Sequence, residues 1–498
     1  MVGVRDLPDR RFQQPVVILS NRGPVEYNRD ADGRRTMKRG GGGLVTALTG
    51  IADELPGAIW VCARKTAEDA VVAGENGGNS FNVEGMPLQV RMVDVDPVAY
   101  DKYYAEIANP LLWFTQHYLW DLSRSPVITR REKDAFENGY VTVNELFADA
   151  VAEEVRKAGG NALVLLQDYH FYLVGERLRR LTPDTFLLHF VHIPWPQPDA
   201  WRVLPPEMRS ALFYGLLGND VVGFHTRNNA RNFLLGCQEL LGLEVDFQNS
   251  AVTHDGRTTW ARWYPISVDA QRFDDMADSP EVRSHEERLL ADRREHLILR
   301  VDRTDLSKNV IRGFMAYDVL LKDHPELKEK ITFLAILPPS RQEVREYRKY
   351  VQDIKRIVAD VNLEHGTPGW QPIHLRLEEN MAMAVAAYKL FDVLLVNAIY
   401  DGMNLVAKEA LLVNERDGVL ALSENTGAYE ELGECSLTLH PFDIEQQAQV
   451  LYEGLTMDPK RRRAMRQRCE EIVRDNDVSQ WLRNQLDDAH RAIEGRKI

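Results

Sequence analysis

Cysteine is scarce. The chain has four, Cys62, Cys237, Cys435 and Cys469, far apart and without CxxC spacing. That predicts neither a disulfide framework nor a zinc knuckle, and a reducing compartment. Long apolar runs are missing as well. The opening MVGVRDLPDRRFQQP has no apolar leader-like stretch, and no run approaches the length of a membrane span, so a cytoplasmic location without a membrane partner is expected. Positive charge is in deficit: a formal net charge of −14 opposes the fields of nucleic acid and anionic lipid, and local basic spots must be ligand sites or solvated faces. The glycines at 40–43 lack the Gly-Lys-Ser/Thr ending of a P-loop. No Ser-His-Asp or Cys-His set has local motif support. His189 and His192 sit at a strand end rather than at metal-binding spacing on a helix. Asp94-Val95-Asp96 supplies too few carboxylates to specify an ion, and Pro97 ends that segment. No metal and no cofactor are expected. No repeat of solenoid period is evident.

What is present is a soluble-type composition, 44% hydrophobic and 27% charged, over 498 residues, more than one core usually supports. Short apolar runs read as buried strands at 15–19, 58–61, 161–167, 186–190 and 221–226, with 263–269 closing the first half. Asp32-Gly33 is a hairpin signal, Leu44 to Leu55 has helical periodicity, and the aromatic-rich stretch from Tyr100 to Trp120 reads mainly as core. The second half alternates: strands at 297–301, 331–337, 371–377, 392–399 and 418–422, helices at 309–323, 341–361, 381–390 and 404–413. Such βα repetition predicts a parallel doubly wound sheet, and 444–498 reads as a charged helical tail.

The chemistry gathers at strand ends. Phe391 to Ile399 is an apolar strand leading through the Asp401-Gly402 turn into a helix. Such a terminus presents backbone N–H groups and a positive dipole end to a phosphate. Glu409, low on that helix, is suited to accept from two sugar hydroxyls. Arg303 and Lys308 leave the strand Leu297 to Val301, where open α/β sheets bind ligands. A guanidinium fork and a point-charge ammonium are complementary holds on a diphosphate. Arg22 and Arg341 also follow apolar strands, and a dianionic ligand of an acidic protein needs such cations.

Arg303-x-Asp305-x-Ser307-Lys308 and the run from Asp401 to Glu409 closely resemble the trehalose-6-phosphate synthase family. So do Ser20-Asn21-Arg22, Gly41-Gly42-Gly43-Leu44, Asp168-Tyr169-His170 and His192-Ile193-Pro194-Trp195-Pro196, in the same order from about Pro15 to about Trp481. The resemblance implies a GT-B fold: two Rossmann-like α/β domains with the active site in the interdomain cleft. The expected domains are an acceptor-side domain over 1–268, a nucleotide-sugar domain over 269–470, and a C-terminal helix over 471–498 packing back on the first. It implies transfer of glucose, with retention, from a nucleoside-diphosphate glucose to glucose 6-phosphate, giving α,α-trehalose 6-phosphate. On this reading Arg303, Lys308, His192 and Asp401 are catalytic. Gly42, Gly43, Gly402, Met403, Asn404, Leu405 and Glu409 join Arg303, Lys308 and Asp401 in holding the donor. Arg22, Tyr104, Trp113, Asp168 and Arg341 hold the acceptor.

The donor is UDP-glucose or GDP-glucose; the segment His374 to Glu378, where bases are usually read, departs from the commonest family pattern, as do Thr304 and Leu306. Gln167 stands where the family usually has His, which bears on the hydrogen bonding around Asp168. Glycerol 3-phosphate as acceptor, nitrogen-linked joining of cyclitols, and a catalytically silent sugar-phosphate sensor are the competing readings. Self-association into a homo-oligomer is left open.

Overall fold

The computed structural model describes residues 14–40, 48, 49, 55 and 57–495. They divide into two compact units, one drawn from 1–115, 121–264 and 479–498, the other from 116–120 and 265–478. The exchange between halves thus falls after Tyr264 and after Val478, against the expected 268 and 470. Residues 116–120 and 479–498 each belong to the unit made mostly of the other half.

In the first unit the strands are β1 (Val16–Leu19), β2 (Val25–Arg29), β3 (Arg35–Arg39), β4 (Ile59–Ala63), β5 (Phe81–Asn82), β6 (Gln89–Val93), β7 (Leu163–Gln167), β8 (Phe186–Phe190), β9 (Val221–Phe224), β10 (Val245–Asp246), β11 (Ala251–His254) and β12 (Arg257–Trp263). β2 and β3 form the antiparallel hairpin that Asp32-Gly33 predicts. The main sheet runs β10-β11-β12-β9-β8-β7-β1-β4-β6-β5. From β12 to β6 every pairing is parallel, and both flanks are antiparallel. β1, β7 and β9 are buried along their whole length because helices cover both faces, hence their unbroken apolar runs. Of the segment 263–269, expected to close the first half, only Trp263 belongs to a strand, as the end of β12. The expected helix from Leu44 to Leu55 lies outside the described residues except at Leu48, Thr49 and Leu55.

The second unit has β13 (His296–Val301), β14 (Ile331–Ile336), β15 (Ile373–Arg376), β16 (Val393–Val396), β17 (Val419–Ser423) and β18 (Leu437–Leu439), all parallel, in the order β15-β14-β13-β16-β17-β18. Helices Val310–Asp323, Arg345–His365, Met381–Leu390 and Val406–Leu412 make the crossovers. Ile298, Phe314, Phe333 and Leu395 are fully buried members of one core between them. Strand order reverses at β13/β16 here and at β1/β7 in the first unit. A crevice opens where neighbouring connections leave toward opposite faces, so these strand-end loops are where each unit can hold a ligand.

One expectation is overturned. Cys435 and Cys469 are joined as a disulfide across 34 residues of sequence, a separation that no spacing motif reveals. Cys62 and Cys237 are buried thiols. Among the described residues no helix is long and apolar enough to cross a membrane.

Candidate functional site

In the second unit the loop after β13 is built on a buried polar network. Arg300, next to the carboxyl end of that strand, has no exposed surface. Its guanidinium meets Asp302 (3.1 Å), the Asn397 side chain (2.6 Å) and the carbonyl of Lys308. Asn309 takes the left-handed conformation (φ 59°), and its amide donates to the carbonyls of Asn397 (2.9 Å) and Pro441 (2.6 Å). The backbone beside Lys308 is thus tied from below.

Asp305, fully buried, accepts from the Ser307 N–H and hydroxyl (both 3.0 Å) and from Tyr347 (3.2 Å), and pairs with Arg341. Burial works against its charge, but Arg341, then Arg303 and His117, outweigh burial and hold its carboxyl far below the usual range. Arg341 is a loop residue at φ 46°, because its helix starts at Arg345 and not at the expected 341. Its guanidinium, only 8% exposed, lies on Asp305 and Tyr347.

Lys308 and Asp401, from loops on either side of the strand-order reversal, form an ion pair. Burial opposes the Asp401 charge; Lys308 more than compensates and keeps the carboxyl low. Asn404 (φ 72°) donates to Asp401 (3.1 Å) and accepts from Ala407 N–H (3.3 Å), so one side chain ties the carboxylate to the helix start. Gly402, Met403 and Asn404 are buried and Leu405 half-buried. Gly427 packs behind this turn, where a Cβ would lie 1.9 Å from the Gly402 carbonyl oxygen, so no larger residue fits without moving the loop. Glu409, half-buried, accepts from the Tyr388 hydroxyl (3.1 Å), and burial raises its carboxyl to about 7. Arg303 is exposed and, among the described residues, has no ion pair.

In the first unit the loop after β1 carries Asn21, whose side-chain oxygen accepts from Tyr100 (3.2 Å) and Tyr103 (3.3 Å), and then Arg22, which is exposed. Tyr104 stacks between Tyr100 and His170, with ring centroids 5.6 and 6.0 Å away, and Trp113 meets Tyr169 edge-on. The loop after β7 puts Asp168 at φ 75°, a conformation a non-glycine residue rarely adopts. Its carboxylate accepts the His192 backbone N–H (3.2 Å), and its carbonyl faces His189 Nε2 (3.1 Å). His192 Nε2 lies 2.8 Å from Gln167 Oε1, which makes Nε2 the protonated nitrogen. Burial, then His225 and His189, keep that imidazole well below its ordinary pKa and therefore neutral. Gln167 thus acts on His192 rather than on Asp168.

Strand-end reasoning finds Arg22, Asp168, Arg303, Lys308 and Asp401 at the two reversals of strand order, and His192 at the end of the next strand, β8. Gly42 and Gly43 lie outside the described residues. Sequence reasoning misses Arg300, which hides in an apolar run, and Tyr388, which supports a neighbour rather than completing a motif; Asp305 stands in the motif with Arg303 and Lys308, but its pairing with Arg341 is not announced there. Asp94 pairs with Arg64, and Asp96 caps the helix Pro97–Asp101. Among the described residues, Asp318, Glu364 and His365 have metal-holding geometry, but the Lys322 ammonium already bridges both carboxylates.

Two Rossmann-type units whose cations and carboxylates stand at the reversal of strand order define a glycosyltransferase of the GT-B class. The model of glycosyltransferase family 20 matches residues 14–491. The chain is 34% identical over 492 residues to a trehalose-6-phosphate synthase of Mycolicibacterium vanbaalenii, covering 95% of each. It is 30% identical over 474 residues to a UDP-forming α,α-trehalose-phosphate synthase of Dictyostelium discoideum, covering 94% of this chain and 62% of that longer relative. A UDP-forming α,α-trehalose-phosphate synthase of Burkholderia xenovorans, solved in complex with glucose 6-phosphate, superposes with a TM-score of 0.80 at 26% identity, covering 95% of this chain and 100% of that one. The chain belongs to glycosyltransferase family 20, the trehalose-6-phosphate synthases.

Proposed function

We propose that this protein transfers glucose, with retention, from UDP-glucose to glucose 6-phosphate and releases UDP and α,α-trehalose 6-phosphate. The observation that carries the reading is the strand-end cluster of the second unit: Lys308 paired with Asp401, Arg303 exposed beside them, and Glu409 held by Tyr388. The difficult event is departure of the nucleoside diphosphate from C1. Arg303 and Lys308 stabilise charge growing on that group in a preorganised site. An entering diphosphate competes with Asp401 for the ammonium, and the displaced carboxylate then accepts hydroxyls of the donor glucose. Glu409, once ionised, accepts from the two ribose hydroxyls.

The leaving phosphate takes the acceptor's hydroxyl proton on the same face, so no carboxylate nucleophile is required. Two basic groups supply the charge that a divalent ion supplies in other transferases, and no metal enters the step. In the first unit Arg22, Tyr104, Trp113 and Asp168 receive the acceptor, and His192 stands at the same loop edge as a neutral imidazole. Arg341 stays in this reading as an acceptor contact whose guanidinium Asp305 fixes. UDP-glucose is preferred to GDP-glucose because two of the three relatives above are named UDP-forming. A cytoplasmic location remains the expected one on this reading.

Product analysis tests the reading. UDP-glucose and glucose 6-phosphate should give equimolar UDP and an α,α-linked disaccharide phosphate by NMR, with a higher kcat/KM than GDP-glucose. Better turnover with glycerol 3-phosphate or a cyclitol, or binding without turnover, would replace it with one of the competing readings.

A further inference from the structure

Lys65 stands at the carboxyl end of β4, the neighbour of β1, whose Leu19 pairs with Val61. Its own N–H donates to Asp69 Oδ2 (2.8 Å), which also receives Thr66 N–H (3.0 Å), while Asp69 Oδ1 takes the Tyr27 N–H (2.8 Å). That carboxylate is spent on backbone groups, and it fixes where the Lys65 main chain lies. The ammonium bonds to the Tyr100 hydroxyl and sits 4.7 Å from the Tyr100 ring centroid and 5.0 Å from that of Tyr104. Tyr100 in turn donates to Asn21, the residue before Arg22. Lys65 thus rests on an aromatic platform that is hydrogen-bonded to Asn21, the residue before Arg22 on the adjacent strand's loop.

Among the described residues neither cation has a carboxylate in ion-pair contact, although the protein is strongly acidic overall. Burial first, and the nearby Arg22 charge among the smaller influences, lower the Lys65 pKa. Like charges held close by neutral and aromatic groups are relieved by an anion carrying more than one charge. Each tyrosine face adds a cation–π contact that holds the ammonium in place without neutralising it.

We infer that Lys65 is a second cation of the acceptor phosphate site, acting with Arg22 and steered by Tyr100 and Tyr104, and that it sets the preference for a phosphorylated acceptor over the free sugar. The inference rests on the reading proposed above and adds a specificity residue to it. A guanidinium and an ammonium can each bond a different oxygen of a phosphate monoester dianion, and an unphosphorylated hexose offers them nothing comparable.

The test is steady-state kinetics of Lys65→Met, Lys65→Arg and Arg22→Ala, with glucose 6-phosphate and with free glucose as acceptors. Losing a hydrogen bond to a charged group should lower the ratio of kcat/KM for glucose 6-phosphate over glucose about tenfold to about a hundredfold in Lys65→Met. The donor KM should move less, and Lys65→Arg should recover most of the ratio. Lys65→Gln, which keeps a donor without the charge, replaces the Met variant if that one is not recovered folded. An unchanged ratio, or a loss shared equally by the two acceptors, would overturn the role of Lys65. Arg22→Ala separates the two levels. If it raises the KM for glucose 6-phosphate while the Lys65 variants do not, only this inference falls. If the unaltered protein does not use glucose 6-phosphate, both fall.

Discussion

The two reversals of strand order are built alike and charged differently. In the second unit Lys308 is answered by Asp401 and Arg341 by Asp305, over a buried bed of Arg300, Asn309 and Asn397, while Arg303 stays exposed beside them without such a partner among the described residues. In the first unit Lys65 rests on two tyrosines and Arg22 is exposed after Asn21, and among the described residues neither has a carboxylate in ion-pair contact. Answered charges are fixed in position before substrate arrives, which suits a group that must meet a transition state. Unanswered charges attract an anion and are suited to capture. The difference fits the proposed roles of Lys308 in the chemistry and of Arg22 and Lys65 in capture of the acceptor phosphate.

Breaking the answered pairs should be most costly. Asp305→Asn leaves the Arg341 guanidinium without its counter-charge, and losing one partner of a buried pair costs about 3–5 kcal/mol of stability, readable by denaturant unfolding. The pH dependence has a definite sign. The folded Asp305 carboxyl lies below its unfolded value, so its contribution is present above the ordinary carboxylate range near about pH 4 and is lost as pH falls below it. Arg22→Ala, at an exposed position, should change stability by less than about 0.5 kcal/mol.

Lys308→Ala should lower kcat by about 10²–10³ with acceptor KM less affected, as expected for removing one preorganised charge from a transition state. A rate within a few-fold of the unaltered protein would move the diphosphate site elsewhere.

Glu409 sharpens the comparison through pH. Its folded carboxyl is raised to about 7, so burying it favours folding below its unfolded value, and that stability is lost as pH rises through about 7. Donor binding should do the opposite and strengthen over the same interval, because only the carboxylate accepts two hydroxyls. Tyr388→Phe removes a hydrogen bond to the charged form and should shift the midpoint of the donor KM profile upward, while Glu409→Gln should flatten it. The smallest effect concerns metal: activity should survive chelator treatment, and loss restored only by Mg²⁺ or Mn²⁺ would refute the cation-based mechanism.

Much of this architecture could be read because parallel strands are buried on both faces. Runs such as Val16–Leu19 and Val393–Val396 stand out as unbroken apolar segments, and the residues after them are the ligand loops. The antiparallel flank β10 to β12 was not foreseen, since its mixed exposure leaves no such run. Arg300 was read as part of an apolar strand because a single letter carries no sign of the carbonyl and carboxylate that receive it. Arg341 was seen as a cation at a strand end, whereas its pairing with Asp305 depends on a left-handed loop conformation that sequence does not announce. Lys65 could have been found by the rule that found Arg22, a basic residue following an apolar strand.

The division of labour between the units is tested most directly by measuring both Michaelis constants in two variants, Arg22→Ala and Glu409→Ala. The account predicts a crossed pattern. Arg22→Ala raises the KM for glucose 6-phosphate about tenfold or more and the KM for UDP-glucose little, and Glu409→Ala does the reverse. Two variants that raise the same constant, or raise both equally, would contradict it.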